Sequence, residues 1–179
     1  FGASEVVYEL TLFNEDNKKL SKQEGVFYIL PGQTKFLILQ FLTTERNVLK
    51  HSFKIKSVQW QKIDSLEGIN FVTSKESHTV LDGTASSVLE GAILNDSDLD
   101  FETVDVDVIL RNSGGEIIGV NKSEIRTFLA HSERYFKVTW PFSLKGEVEK
   151  TEIVSSTNIF ENFNFIKRYG SGVEKFQQY

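Results

Sequence analysis

The sequence predicts an all-β protein, built as two antiparallel β-sandwiches in tandem. Three observations predict it. Apolar residues recur with period two rather than 3.6. Turn residues interrupt these runs at short intervals. The two halves of the chain repeat one another.

In chain order, "VVYELTLF" puts Tyr8, Leu10 and Leu12 on one face of a strand, because successive strand side chains point to opposite faces. "NEDNKK" and "PGQ" then read as turns. "TKFLILQF", residues 34–41, is apolar on both faces, the pattern of a central strand. "SFKIKSVQWQKI" alternates through Phe53 and Ile55, then changes phase to Val58 and Trp60. Such a one-residue shift predicts a bulge near Lys56 and Ser57. The stretch from 64 to 85 is more polar and turn-rich than its flanks and reads as the seam. Beyond it, "SSVLEGAIL", "TVDVDVIL", "EIIGV", "IRTFLA", "RYFKVTW" and "EKTEIVS" read as strands, with a turn at "NSGG".

The repeat is read at an offset of 98, which lays Val6, Tyr8, Leu10, Leu12 and Asn14 on Val104, Val106, Val108, Leu110 and Asn112. One inserted residue later, Leu30 falls on Leu129 and "KFLILQF" on "RYFKVTW". The expected organisation is a first sandwich over 1–65, a connecting segment over 66–85, a second sandwich over 86–165 and a tail over 166–179. The second half has a leading strand, "SSVLEGAIL", whose counterpart would precede Phe1. The first sandwich is therefore expected to lack its first strand. Sequence outside this fragment is the preferred source of it. The alternatives are another part of the chain, such as 69–73 or the tail, and a neighbouring molecule donating a strand.

Composition bounds the function. The chain has 179 residues, 40 % hydrophobic and 25 % charged, with 15 phenylalanines to fill a core. A net charge of −5 and a pI near 5.3 give no general attraction to nucleic acid or anionic lipid. The absence of cysteine excludes disulfides, thiolate metal sites and a cysteine nucleophile. The chain has no methionine, even at position 1. It is therefore expected to be a processed or cut-down chain whose leader or anchor lies elsewhere. No stretch approaches the roughly 20 apolar residues of a membrane helix.

The second half resembles the FxLYD-type domain, an immunoglobulin-like β-sandwich. Gly91, Asn95, Val104, Val106, Val108, Asn112, Gly115, Leu129 and Phe136 carry the likeness, over roughly residues 86 to 140. Where that family often has Pro-Gly in the last turn, this chain has Ala130-His131; the first half keeps it as Pro31-Gly32. The whole chain is also similar to uncharacterised envelope proteins of candidate-phylum bacteria, through "G-x-x-x-x-LPG-x-T" at Gly25–Thr34 and the Asn- and Phe-rich run Asn158–Gly170. These resemblances imply tandem immunoglobulin-like sandwiches in a membrane-tethered, extracytoplasmic ectodomain. They imply no activity, since a fold does not specify one.

Asp96, Asp98 and Asp100 have the D-x-D-x-D spacing of a calcium loop. Phe101 stands where the EF-type pattern requires glycine, so a solvated inter-strand loop is the leading reading and calcium, in its most plausible version held between the domains, the alternative. Asp105 and Asp107 alternate with valines and are expected on the solvent face. His51, His78 and His131 stand far apart, without the clustering of a zinc site. No G-x-S-x-G elbow, P-loop or dinucleotide fingerprint is present. Trp60, Trp140, Phe36, Phe41, Tyr135 and Phe136 sit at core-like positions. Gly170-Ser171-Gly172 reads as a flexible joint, with residues 173–179 disordered or in partner contact. Phe163, Phe165 and Tyr169 are candidates for packing or for docking on another protein. Asn95-Asp96-Ser97 and Asn121-Lys122-Ser123 fit the glycosylation sequon.

The expected function is a non-catalytic interaction or structural module, displayed on a bacterial surface by an anchor outside this fragment. Its partner is expected to be a protein or cell surface, with no nucleic acid and no cofactor beyond the calcium alternative. A second reading is a subunit of a surface assembly that self-associates through an open strand edge.

Overall fold

In the computed structural model, residues 1–39, 48–63, 66, 68–81, 86–169 and 175–178 are described. Strand residues dominate them, in three antiparallel sheets. The chain divides into two compact units, Phe1–Ser65 with Gly170–Tyr179, and Leu66–Tyr169.

Unit 1 is a four-stranded sheet made of β1 (Gly2–Phe13), β2 (Lys19–Ile29), β3 (Lys50–Gln61) and β10 (Lys175–Gln178), in the order β10-β3-β1-β2. The alternation of β1 turns Tyr8, Leu10 and Leu12 to one face, where Leu20, Phe27, Leu37 and Leu39 cover them. The phase change in β3 is a register shift. Val7 pairs with Ser57 and Tyr8 with Ile55, which leaves Lys56 as the extra residue of a bulge. Residues 34–39, expected to open a central strand, form none; residues 40–41 of that stretch lie outside the described residues. The expected disorder or partner contact over 173–179 gives way at 175–178 to β10, which pairs with the edge of β3. The glycine-serine joint before it lies outside the described residues.

Unit 2 is a sandwich of two three-stranded sheets. One sheet holds β4 (Phe71–Val80), β5 (Ser87–Asn95) and β8 (Glu133–Trp140); the other holds β7 (Ile117–Phe128), β6 (Phe101–Arg111) and β9 (Lys150–Ser156). Half of the stretch read as a connecting segment is therefore β4, paired with β5 on either side of a register shift at Lys75 and Glu76. The polar residues that disguised it lie on an edge strand, with one face open to water. Aromatic rings tie the sheets together. Phe71 lies 5.2 Å from Phe101 and 5.9 Å from Phe128. The buried Trp140 donates its Nε1–H to the Val120 carbonyl at 3.2 Å. Val104, Val106 and Val108 are fully buried between the sheets. Asp107, expected on the solvent face, is only 5 % exposed. It sits mid-sheet, flanked by Lys122 on β7 and Val154 on β9, so the neighbouring strands cover it.

The two units share their hairpins bond for bond. In the first, Asn14 N–H donates to the Lys18 carbonyl, Asn17 N–H to the Asn14 carbonyl, and Lys18 N–H to Asn14 Oδ1. At +98, Asn112 N–H donates to Glu116 O, Gly115 N–H to Asn112 O, and Glu116 N–H to Asn112 Oδ1. Both turns place a left-handed residue at the same point, Asn17 at φ 58° and Gly115 at φ 79°. At +99, the Gln33 N–H bond to Leu30 O recurs as Ser132 N–H to Leu129 O, with Gly32 (φ 70°) and His131 (φ 54°) at the left-handed position. The Leu49 N–H bond to Phe13 O recurs as Glu149 N–H to Arg111 O, with the acceptor at +98 and the donor at +100. By these matches, β1, β2 and β3 correspond to β6, β7 and β9.

Candidate functional site

The Asp-rich loop joins β5 to β6 and is fastened by Asn95. That side chain is fully buried. Its Nδ2 donates to Leu99 O at 2.8 Å and Leu129 O at 3.0 Å, and its Oδ1 accepts from Ser97 Oγ at 2.6 Å. With its amide so engaged, Asn95 is closed to glycosylation in the folded chain. The second sequon asparagine, Asn121, donates its Nδ2 to Thr139 O at 2.8 Å.

The loop aspartates turn to separate partners. Asp96 accepts from Asn70 Nδ2 at 3.1 Å, and Asp100 Oδ1 accepts the Ala130 N–H at 2.7 Å. Asp98 contacts His131 Nε2 at 3.0 Å and accepts from Arg168 at 3.2 Å. The bond to His131, then the one to Arg168, holds the Asp98 carboxyl below its ordinary range. A calcium ion needs six to eight oxygens converging on one point. Among the described residues, no three acidic or histidine side chains gather around a metal position.

The Asn- and Phe-rich run is a folded clasp in unit 2. Asn162 caps the seven-residue helix α1 (Phe163–Tyr169), its Oδ1 accepting the Phe165 N–H at 2.8 Å. The Nδ2 groups of Asn162 and Asn164 both donate to Asp100 O. Of the three candidate docking aromatics, Phe165 is buried, and Tyr169 packs its ring 5.1 Å from it. Phe163 alone of the three is open to solvent, at 74 %. A helix of two turns is too short to declare itself by periodicity.

A depression of about 320 Å³ at one end of unit 2 is lined by His78, Ser87, Leu144 and Glu147 among others. Burial keeps the His78 imidazole below its usual pKa, and its ring meets Trp140 edge-on. A serine nucleophile needs a base within hydrogen-bond reach. Neither Ser87 Oγ nor His78 Nε2 has a hydrogen-bond partner in the protein.

The feature that sequence reasoning missed is on unit 1. Register places Phe53 opposite Leu10 and Ile55 opposite Tyr8, on the same inner face. Phe53 stacks on Tyr8 at 5.3 Å. Yet Phe53 is 45 % and Ile55 48 % exposed. Their counterparts at +100 in unit 2, Ile153 and Ser155, are less exposed. In unit 1 the corresponding cover is the strandless stretch 33–39. The alternation of Phe53 and Ile55 with Lys54 and Lys56 was the available signal; it showed the face, but not that the face is left open.

No helix among the described residues is long and apolar enough to cross a membrane. Compared with known proteins, the chain matches no family model and no curated protein.

Proposed function

We propose that the chain is a non-catalytic interaction or structural module of a membrane-anchored bacterial surface protein, working outside the cytoplasm. It binds a protein partner through the inner face of unit 1. The half-exposed pair Phe53 and Ile55 carries this reading. Large apolar side chains left side by side on a sheet face mark interaction surfaces, because burying them stabilises a complex by about 25 cal/mol per Å². The membrane tether and the immunoglobulin-like character rest on the resemblances given above.

A dye that fluoresces on apolar surfaces tests the reading. The chain is expected to bind it, and the double variant Phe53→Ser, Ile55→Ser to lose that signal while keeping its far-ultraviolet circular dichroism. A wild-type chain that binds no dye under native conditions would show the face already covered and overturn the proposal.

A further inference from the structure

We propose that unit 1 takes up an extended β-strand supplied from outside these 179 residues, which pairs antiparallel with Phe36–Leu39 and closes over Phe53 and Ile55. This deepens the reading above and rests on it.

The chain's own repeat identifies the occupant. At +99, residues Phe36–Leu39 correspond to Tyr135–Val138 of β8. In unit 2 that segment is a strand, and β5 pairs with it along its whole length, from Ser87 opposite Trp140 to Leu94 opposite Glu133. In unit 1 the same segment has its side chains in place, with Leu37 and Leu39 against the Tyr8 cluster and Ile38 buried. No strand among the described residues of unit 1 stands where β5 stands in unit 2. An apolar segment poised against a core, with its backbone outside any sheet, is the receiving half of β-augmentation.

The described residues hold no spare strand to fill the place. The tail strand β10 pairs with the far edge of β3, in the sheet opposite. Residues 71–73 are held in β4, paired with Asn95, Leu94 and Ile93. A second copy of the chain would offer only a β5 already held on both sides, between β4 and β8.

The template also specifies the donor. Gly91 stands opposite Phe136, and a Cβ there would lie 2.7 Å from the ring. Opposite the corresponding Leu37, the donor needs a small residue. Glu90 stands opposite Lys137 and pairs with it at 3.0 Å. The corresponding residue of unit 1 is Ile38, so the donor needs an apolar residue where β5 has Glu90. Leu89 and Ile93, at most 1 % exposed, show which alternate positions face the core.

The test uses the 179-residue chain and a synthetic peptide of residues 86–95 carrying Glu90→Val. The peptide is expected to bind at one equivalent and slow amide exchange at Phe36–Leu39 by about tenfold or more, with β8 unchanged. A further Gly91→Trp change in the peptide should weaken binding by about tenfold or more, since overpacking of this kind costs 1–3 kcal/mol. Failure to bind while the chain still binds the apolar dye would overturn the strand assignment and leave the open face standing. Failure of both would remove the interaction reading too. Binding without slowed exchange at Phe36–Leu39 would place the peptide elsewhere and overturn the proposal. So would a dimer in light scattering that the peptide does not dissociate, because a second copy would then cover the face.

Discussion

Unit 1 and unit 2 have the same hairpin, the same Leu-turn and the same returning strand, yet among the described residues only unit 2 has a second sheet. The difference separates two kinds of sequence information. The Asn14 and Asn112 turns form alike because their hydrogen bonds close within five residues. The stretch after the Leu-turn behaves differently in the two places. Followed by "RYFKVTW" it is β8, zipped to β5; with "KFLILQ" no strand forms over the described residues. Propensity does not explain this, since Phe, Leu and Ile favour strands at least as well as Arg and Lys do. A strand is a property of a pair, and the difference lies in the partner.

The largest expected effect sharpens that contrast. Phe136 is 5 % exposed, lies over Gly91 and points into the closed core. Phe136→Ala is expected to destabilise unit 2 by about 4 kcal/mol, within the usual range for buried phenylalanine. The corresponding Leu37→Ala in unit 1 removes a side chain that is only partly buried. It should cost less than half as much, about 1–2 kcal/mol. Denaturant unfolding followed through amide probes in each unit measures both. Equal losses would mean that the two segments are equally enclosed, and would break the comparison.

Asn95 comes next. Asn95→Ala strips hydrogen bonds from Leu99 O, Leu129 O and Ser97 Oγ in a fully buried place. A loss of about 3 kcal/mol is expected, because buried polar groups left unpaired cost about 1–3 kcal/mol each. Unit 1 contributes no residue of this kind from the described part, so the variant should leave its denaturation midpoint in place. A shift of both midpoints together would show that the units unfold as one.

Much of this was legible in the sequence, and the exceptions have physical causes. Period-two alternation located β1, β3, β5, β6, β8 and β9, and the phase change at Lys56 marked the bulge in β3. β4 was hidden because an edge strand needs no continuous apolar face, and its Lys75, Glu76 and Ser77 look like a loop. The D-x-D-x-D spacing left a solvated loop as the leading reading and calcium as the alternative, because spacing does not fix direction. Asn70, Ala130 and the His131–Arg168 pair draw the three carboxylates apart. Gly91, which helps to carry the resemblance, likewise acquired its meaning only in three dimensions. Gly91 faces Phe136, and Gly25 faces Tyr8, where a Cβ would lie 2.5 Å from the hydroxyl. In each pair an aromatic ring from the adjacent strand fills the space above a glycine.

The shared turns give a smaller, symmetrical prediction. Asn14→Ala and Asn112→Ala each remove one side-chain acceptor from an exposed backbone N–H. Each should cost about 1 kcal/mol, the typical worth of one such hydrogen bond. Their near equality, read by amide exchange in β1 and β6, is what a true repeat requires. A several-fold difference would mean that the turns look alike but bear different loads.

The smallest effect is electrostatic and belongs to unit 2. The contacts to His131 and Arg168 lower the Asp98 pKa below its ordinary 3.8. A carboxyl lowered in the folded state contributes its stability above the unfolded value and loses it as pH falls through the folded value. Asp98→Asn should therefore melt slightly below wild type at pH 7, and the two curves should converge as pH falls through the lowered folded value. Because all three side chains are exposed, water and salt screen the pair, and the gap at pH 7 should shrink further in high salt. A gap that persists unchanged at low pH would mean that Asp98 acts through loop geometry rather than charge. The turn at the left-handed His131 would then hold the Asp-rich loop by its backbone alone, chiefly through the Ala130 N–H bond to Asp100.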